Sequence, residues 1–333
     1  MNPSYNLEID RLVDEIVRRK ARRILIQVPD GLKPQAAALS SMIESRTSAE
    51  TFLSSSPCYG ACDIASEQAR LLHADLIADY GHTQFTPAED IPIIFLDARS
   101  DQDLAPLLKE AADEVARWRR VGVATTVQHL DVLKTVKEQL IARGIRAVIA
   151  PKGGHNIHDG QIIGCDYTPL KIIADEVESF LIIGSTFHGL GASLAVSKPV
   201  VLADPYSNRV TDMSKERERI ILRRYAAIDQ AKEAKNFGII LGTKTGQYNP
   251  AGAAEAKGQL SARGRTVCTI VADEVAPDLL LNFEEVQVFV NTACPRLSLD
   301  DADRFAKPIL SPREALVAIG EMEWKNLLEQ GFL

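Results

Sequence analysis

The feature that most constrains the fold is a regular alternation of short apolar runs with amphipathic segments. Residues 7–20 carry apolar side chains at helical spacing, and they lead into a β-branched run at residues 24–28. That run ends at the turn formed by residues 29–31, and a second amphipathic segment follows at residues 33–45. Short apolar strands separated by helices are typical of parallel sheets that are buried on both faces. The pattern therefore predicts an α/β protein.

The same alternation occurs three times along the chain. Each time, a long amphipathic segment runs into an apolar strand, at residues 7–28, 104–125 and 215–242. We therefore divide the chain into three α/β units, residues 1–102, 103–212 and 213–333, each expected to form a small Rossmann-like parallel sheet. Such sheets bind ligands at the carboxyl ends of their strands. Three of them arranged around a central site would direct their loops to one point.

Composition narrows the class of protein. The chain has 333 residues with 46% hydrophobic content, which is enough to build sizeable cores. Its net charge of -7 argues against a nucleic-acid partner, because neutralising phosphates requires a basic surplus. No apolar run approaches the roughly 20 residues that cross a bilayer, and the charged first segment lacks the apolar core of a signal peptide. We therefore expect a cytoplasmic protein without membrane contact.

Three of the five cysteines are predicted to lie in loops after strands. Cys58 follows a proline, Cys165 follows a glycine and Cys294 precedes a proline. Thiolates in such loops can surround the irons of a cluster, whereas a cytosolic chain rarely forms disulfides. We interpret the three as ligands of one iron–sulfur cluster. On spacing alone, isolated buried thiols explain them about equally well. Zinc sites usually need closely spaced ligand pairs, and a catalytic cysteine would not need three matching loops.

The other two cysteines are interpreted differently. Cys268 lies inside the strand predicted at residues 266–271 and is expected to be a small core residue. Cys62 follows Cys58 by four positions, near a predicted helix start, and is either a packing residue or a substitute ligand. Packing is favoured, because an isolated C-x3-C pair is not a complete local cluster motif.

Eight short segments in these regions carry a resemblance to a known family. They are Val-Pro-Asp-Gly-Leu at 28–32, Pro-Cys-Tyr-Gly-Ala-Cys-Asp at 57–63, Tyr-Gly-His at 80–82, Gly-Cys at 164–165, Phe-His-Gly-Leu-Gly at 187–191, Asp-Pro-Tyr at 204–206, Gly-Thr-Lys-Thr-Gly-Gln at 242–247 and Ala-Cys-Pro-Arg at 293–296. In this order they resemble the iron–sulfur enzymes of the first step of diphthamide synthesis, the 2-(3-amino-3-carboxypropyl)histidine synthases. The compact length is similar to that of the archaeal homodimeric form.

The resemblance implies a triplicated α/β fold with one cluster cysteine in each unit. It also implies a 4Fe-4S cluster held by Cys58, Cys165 and Cys294, with one iron left open, and S-adenosylmethionine as co-substrate. In this family the reduced cluster breaks the bond between the sulfonium and the methionine Cγ. The resulting 3-amino-3-carboxypropyl group is added to a histidine imidazole carbon of elongation factor 2. A homodimer and an external electron donor are implied as well.

Loops at strand ends supply the expected contacts to S-adenosylmethionine. A glycine-containing turn allows close backbone approach, and amide or cationic donors could hold the methionine carboxylate. The alternative for Lys244 and Arg296 is an ordinary solvated charge. The alternative for His188, and likewise for His82, is a loop histidine held by hydrogen bonds. The expected contacts are Asp30, Gly31, His188, Thr243, Lys244, Gln247 and Arg296.

Two other functions remain open at this level. Quinolinate synthase also has a triplicated α/β fold with one cluster cysteine in each unit, and it uses its open iron as a Lewis acid. From a different class, the chain could be a non-catalytic, cluster-bearing partner that binds the elongation factor or relays electrons.

Overall fold

A computed structural model describes residues 5–85 and 90–333 of the protein. Within them, three sheets of four, five and four strands carry most of the structure, and a two-stranded ribbon stands apart. The predicted α/β class with mostly parallel sheets is confirmed. The strands of each sheet come from one stretch of chain, at residues 23–96, 120–212 and 236–310. No helix in the described part is long and apolar enough to cross a membrane.

The first sheet has four parallel strands. Its two central strands pair in register from Ile24 with Leu76 to Gln27 with Asp79. The elements of this part of the chain are β1 (Tyr5–Asn6), α1 (Ile9–Arg19), β2 (Arg23–Gln27), α2 (Lys33–Arg46), β3 (Glu50–Leu53), α3 (Ser66–Leu71), β4 (Leu76–Tyr80), β5 (Ile93–Leu96) and β6 (Arg99–Ser100). The sheet order is β3-β2-β4-β5, while β1 and β6 form the separate antiparallel ribbon. The carboxyl ends of all four strands therefore share one edge.

The second sheet departs from the prediction at its edge. Its elements are α4 (Ala105–Glu114), β7 (Arg120–Thr125), α5 (Leu133–Ala142), β8 (Arg146–Ile149), α6 (Thr168–Ile172), β9 (Ser179–Ile183), α7 (Thr186–Ala195), β10 (Val200–Asp204) and β11 (Arg209–Asp212). The order is β11-β10-β9-β7-β8, and β11 runs antiparallel to β10. A short turn after Asp204 returns the chain along β10, which adds a strand that was not predicted.

Helix α7 was also absent from the prediction. It contains Gly189 and Gly191, and glycine costs roughly 1 kcal/mol relative to alanine in a helix interior. Both glycines are close to neighbours, because a Cβ at Gly189 would lie 3.0 Å from Leu202 and one at Gly191 would lie 2.1 Å from the Tyr167 hydroxyl. Tertiary packing therefore stabilises a helix whose local propensity is poor.

The third sheet contains four parallel strands and ends in a helical segment. Its elements are α8 (Ser214–Ala231), β12 (Asn236–Gly242), α9 (Pro250–Ala262), β13 (Thr266–Ala272), α10 (Pro277–Leu281), β14 (Val288–Asn291), α11 (Arg296–Leu299), β15 (Ile309–Leu310), α12 (Pro312–Ala318) and α13 (Trp324–Gln330). In the order β13-β12-β14-β15, β13 is an edge strand. The interpretation of Cys268 as a core residue is wrong: it lies in β13 as predicted, but it is exposed, because this face of the edge strand is not covered.

A buried ion pair joins α8 to α12 in the third unit. The Arg224 side chain is 3% exposed and that of Glu314 is fully buried. The Arg224 guanidinium donates through Nε and Nη2 to the two Glu314 carboxylate oxygens at 2.7 and 2.8 Å. Nη2 also donates to the backbone oxygen of Ile309 at 2.8 Å, so the pair ties both helices to β15.

Contacts join each pair of the three units. The Gln128 side chain donates to the Gly81 backbone oxygen at 2.6 Å, which links the second unit to the first. The Gly246 amide donates to the Cys62 backbone oxygen at 2.8 Å, which links the third unit to the first. Leu194 of α7 packs in the hydrophobic core of the third unit. All three pairs of units therefore contact one another, and their loops meet in the middle.

Candidate functional site

A cavity of about 480 Å³ lies where the three units meet. Loops that follow strands of all three sheets line it. Three thiols lie on its wall, one from each unit: Cys62, Cys165 and Cys294. This is the expected convergence of loops at strand ends, with a different cysteine contributed by the first unit.

The Cys62 turn is held from the third unit. The Gly246 amide donates to its backbone oxygen, and the Gln247 side-chain amide lies 3.5 Å from its Sγ. A Cβ at Gly246 would lie 2.5 Å from the Cys62 Cα, a distance that real Cβ atoms do not adopt. The fixed position of Cys62 therefore depends on a glycine from a different unit.

The other two thiols are held by close packing and capping. Gly164 precedes Cys165, and a Cβ there would lie 1.9 Å from the Phe187 ring. Cys294 lies between β14 and α11, where the Asn291 side-chain amide donates to its backbone oxygen at 2.7 Å. The predicted glycine before Cys165 therefore has a steric purpose, whereas Cys294 is held by Asn291, which the sequence did not single out.

Cys58 does not line the cavity, although Tyr59 to Cys62 do. Its Sγ accepts a hydrogen bond from the Gln27 side chain at 3.1 Å and lies 3.8 Å from both Asp79 and His82. The structure therefore brings Cys165 and Cys294 together with Cys62, and not with Cys58. The sequence signal for Cys62 was the C-x3-C spacing, which does not reveal which sulfur faces inward.

Burial and neighbouring charges raise the pKa of all three cavity thiols. Burial, followed by repulsion from Cys62 and Cys294, raises the pKa of Cys165 to about 12. Burial likewise raises the pKa of Cys294 to about 11, with Cys62 again contributing. Burial also raises the pKa of Cys62. Neutral thiols are therefore the stable form without a metal, and holding three thiolates here requires a cationic centre to replace their protons.

Three of the seven expected S-adenosylmethionine contacts line this cavity: Gly31, His188 and Arg296. Arg296 lies 3.8 Å above the Phe187 ring, and its Nε and Nη2 donate to one Asp300 oxygen. Burial and the Arg296 charge lower the pKa of His188 to about 4, so its imidazole is neutral at pH 7. The Ser185 hydroxyl lies 2.9 Å from the His188 Nδ1.

The other four expected contacts lie outside the cavity lining. The Asp30 carboxylate is exposed and paired with Lys33 at 2.6 Å, and Thr243 donates to Asp273. Gln247 is near the site only through its contact with the Cys62 sulfur. The structure therefore does not bring Asp30, Thr243, Lys244 or Gln247 to the cavity wall.

Lys244 has a different position from the one expected. Its Nζ lies 2.8 Å from Asp63 and 2.5 Å from Glu274, and its side chain is only 7% exposed. The ammonium group also faces the Tyr59 ring at 5.2 Å. Its charge is already balanced by two carboxylates, so it connects the first and third units. Lys244 is therefore not an ordinary solvated charge either, which was the alternative to a substrate contact.

Sequence reasoning missed several polar residues of the wall. The Thr126 hydroxyl is buried without a hydrogen-bond partner in the described structure, and Thr126 lines the cavity together with Gln128 and Tyr206. These residues follow β7 and β10, but their types are common in ordinary loops. For Thr126 and Gln128 the position after a parallel strand was the available signal, whereas Tyr206 belongs to one of the segments that carry the family resemblance.

Comparison with known proteins identifies related chains. Residues 28–328 match the family model described as diphthamide synthesis protein. The 2-(3-amino-3-carboxypropyl)histidine synthase of Pyrococcus horikoshii is 35% identical over 97% of this chain and 94% of its own. Subunit 1 of the same enzyme from Kluyveromyces lactis is 30% identical over 95% of this chain and 76% of its own. The crystal structure of Dph2 from Pyrococcus horikoshii with a 4Fe-4S cluster superimposes with a TM-score of 0.88 at 34% identity, covering 96% and 92% of the two chains.

Proposed function

Because the chain belongs to the diphthamide synthesis protein family, we propose that it is a 2-(3-amino-3-carboxypropyl)histidine synthase. It transfers the 3-amino-3-carboxypropyl group of S-adenosylmethionine to an imidazole carbon of a histidine in elongation factor 2. The observation that carries this proposal is the meeting of three thiols, one from each unit, in a single cavity. The bounds 1–102, 103–212 and 213–333 are our division of the chain into these units.

We assign Cys62, Cys165 and Cys294 as the protein ligands of a 4Fe-4S cluster, with Cys62 in place of the Cys58 expected from sequence. The three thiols suit such a cluster, because they line one cavity and their raised pKa values disfavour ionisation without a metal. Three thiolates leave one iron without a protein ligand. When bound, the cluster supplies the electron for reductive cleavage of the Cγ–S bond.

The protein residues bind and orient the co-substrate. Arg296 uses Nε and Nη2 on Asp300, which leaves Nη1 to donate to the methionine carboxylate. His188 is neutral at pH 7 because its pKa is about 4, so it does not repel a sulfonium cation. Thr126 offers a buried hydroxyl, and Gly31 allows the backbone to approach closely.

The protein substrate enters where the cavity wall is exposed. Tyr59 and Tyr206 both line the cavity and are 58% and 51% exposed. Aromatic side chains at such a mouth can pack against the imidazole of an incoming histidine. We propose that elongation factor 2 docks over these two residues in the cytoplasm, and that a separate electron donor reduces the cluster.

We propose that the chain acts as a homodimer. Strand β13 is an edge strand of seven residues, and an edge presents unpaired backbone groups. Exposed large apolar residues are concentrated near it, at Val271, Leu279, Leu281 and Phe283. These features make the β13 side a suitable surface for a second copy.

Reaction products test the proposed activity. Anaerobic protein with a reconstituted cluster, S-adenosylmethionine and dithionite should modify elongation factor 2 by one 3-amino-3-carboxypropyl group, detected by mass spectrometry. Without the elongation factor, 2-aminobutyrate or homocysteine sulfinic acid should be released. A matched reaction without dithionite should give neither. If 5′-deoxyadenosine were the main product, the proposed direction of cleavage would be wrong. Activity of the purified chain alone would also exclude a purely non-catalytic partner.

The link between the first and third units predicts a second effect. Gly246→Ala should force the Cys62 backbone to move, because the new Cβ meets its Cα at 2.5 Å. We expect cluster occupancy after reconstitution to fall about tenfold, the size seen when the support of a metal ligand is removed. Iron and sulfide analysis measures it. Gly258→Ala is the control, since a Cβ there has no neighbour within 4 Å and should leave occupancy unchanged. Equal occupancy in the two variants would show that Cys62 is not held by this contact.

A further inference from the structure

A second group of metal-ligating side chains lies outside the set of cavity thiols. Cys58, Asp79 and His82 offer one sulfur, one oxygen and one nitrogen, all within 4.8 Å of one another. The Cys58 Sγ lies 3.8 Å from the Asp79 Oδ2 and 3.8 Å from the His82 Nδ1. The His82 Nδ1 lies 2.9 Å from the Asp79 Oδ1. None of the three is assigned as a ligand of the cluster above.

The first sheet places these residues together. Asp79 lies in β4, opposite Gln27 of the neighbouring strand β2. His82 follows the end of β4 by two residues, and Cys58 lies in the loop after β3. All three lie at the carboxyl edge of one parallel sheet, on β4 or just after it and on the loop after β3, with β2 between these two strands, and this edge is where α/β sheets bind ligands. The arrangement therefore does not depend on the other two units.

The charges in this group favour a cation. The Asp79 side chain is fully buried, and a buried carboxylate is costly unless it is paired. The Gln27 amide donates to the Cys58 sulfur at 3.1 Å, which is the type of hydrogen bond that supports a metal-bound thiolate. A thiolate and a carboxylate together carry two negative charges, which one divalent cation neutralises.

The distances are close to those of a tetrahedral site. Zinc bonds of about 2.3 Å to sulfur and about 2.0–2.1 Å to nitrogen or oxygen place such ligands about 3.5 Å apart. The two sulfur separations of 3.8 Å need to close, and the nitrogen–oxygen separation of 2.9 Å needs to widen, by only a few tenths of an ångström. Magnesium and calcium prefer all-oxygen sites, whereas a mixed sulfur, nitrogen and oxygen set suits zinc and neighbouring transition metals.

We propose that Cys58, Asp79 and His82 bind one divalent cation of the zinc class, at a site distinct from the three cavity thiols. Three protein ligands leave a fourth position for water, the arrangement of open zinc sites. His82 lines the cavity, whereas Cys58 and Asp79 do not. The cation would therefore lie behind the cavity wall, with His82 between it and the cavity. This site does not rest on the proposed transferase activity.

Cobalt spectroscopy tests the site without interference from the cluster. In a full-length Cys62→Ala/Cys165→Ala/Cys268→Ala/Cys294→Ala variant, Cys58 is the one cysteine left. Anaerobic titration with Co²⁺ should give one equivalent bound, with a thiolate-to-cobalt charge-transfer band and the intense visible bands of tetrahedral cobalt. Adding Cys58→Ala should abolish the charge-transfer band. Absence of that band in the first variant, or its persistence in the second, would overturn the proposal.

Substitutions of the other two ligands test the site through its affinity for Co²⁺. In the same background, His82→Gln and Asp79→Asn should each weaken Co²⁺ binding by about tenfold or more. The control is His155→Gln, which removes an imidazole paired with Asp166 at 3.1 Å and outside the group formed by Cys58, Asp79 and His82. It should leave the affinity unchanged. Unchanged affinity in the His82 and Asp79 variants would count against the site.

The native chain provides an independent measurement if the multiple variant does not fold. Protein with an intact cluster, equilibrated with buffered Zn²⁺ and desalted, should contain one zinc in addition to its iron. The single change Cys58→Ala should remove that zinc and keep the iron. The proposal would be overturned if the native chain kept no zinc, or if the native chain and the Cys58→Ala variant contained the same amount of zinc.

Discussion

Cys62→Ala is expected to abolish the cluster's visible absorbance after anaerobic reconstitution, whereas Cys58→Ala is expected to keep it. The reason is the direction of the two sulfurs: Cys62 lines the central cavity with Cys165 and Cys294, and Cys58 faces Asp79 and His82 instead. Loss of one of three thiolates leaves two open irons, and the cluster should not persist. Iron and sulfide content and electron paramagnetic resonance of the reduced protein measure the outcome.

This pair of variants is well matched, because the two cysteines are four residues apart in one turn and both changes remove a largely buried thiol. Cys165→Ala and Cys294→Ala should behave like Cys62→Ala, and the exposed Cys268 should tolerate the same change. If Cys58→Ala lost the cluster and Cys62→Ala kept it, the ligand set expected from sequence would be the correct one. Loss in both would indicate that the turn tolerates neither change.

Glu314→Ala is expected to lower the free energy of unfolding of the third unit by about 3–5 kcal/mol, the range measured for breaking a buried ion pair. The variant leaves the Arg224 guanidinium buried, 3% exposed, without its carboxylate. It also removes the capping box at the start of α12, where the Glu314 side chain accepts from the Ser311 amide at 2.7 Å. Urea unfolding followed by circular dichroism measures the change.

Glu321→Ala is the matched control for this prediction. Glu321 pairs with Arg263 at 2.6 Å, but both side chains are more than 40% exposed. Exposed pairs contribute about 0–1 kcal/mol, so this variant should unfold close to the wild type. Equal destabilisation by the two changes would mean that burial of the Arg224 pair does not determine its effect.

The sequence predicted the parallel strands of the three sheets well, because they are short apolar runs between helices, whereas β1, β6 and β11 were not predicted. The run at residues 121–125, for example, became β7 at Arg120–Thr125. Helix α7 was missed because its stability comes from glycines packed against Leu202 and Tyr167, a property of tertiary structure. Strand β13 was predicted, but its place at a sheet edge was not, and that place decides the exposure of Cys268.

The candidate site was predictable in its outline. Cys165 and Cys294 were expected to meet a thiol of the first unit, and the cavity contains one from each unit. The choice between Cys58 and Cys62 was not predictable, because it depends on side-chain direction within one turn. The position of Lys244 was not predictable either, because its partners Asp63 and Glu274 lie far from it in sequence. Local patterns identify strand ends, but not which partners tertiary contacts provide.

The origin of the cavity thiols in three separate units has a consequence for how the enzyme matures. A nascent chain that has exposed Cys62 and Cys165 still lacks the third sulfur and the Gly246 contact that fixes the first. Iron delivered at that stage would meet an incomplete set of ligands. Cluster insertion should therefore follow synthesis and docking of the third unit, so that a filled cluster marks a chain whose three units have already assembled.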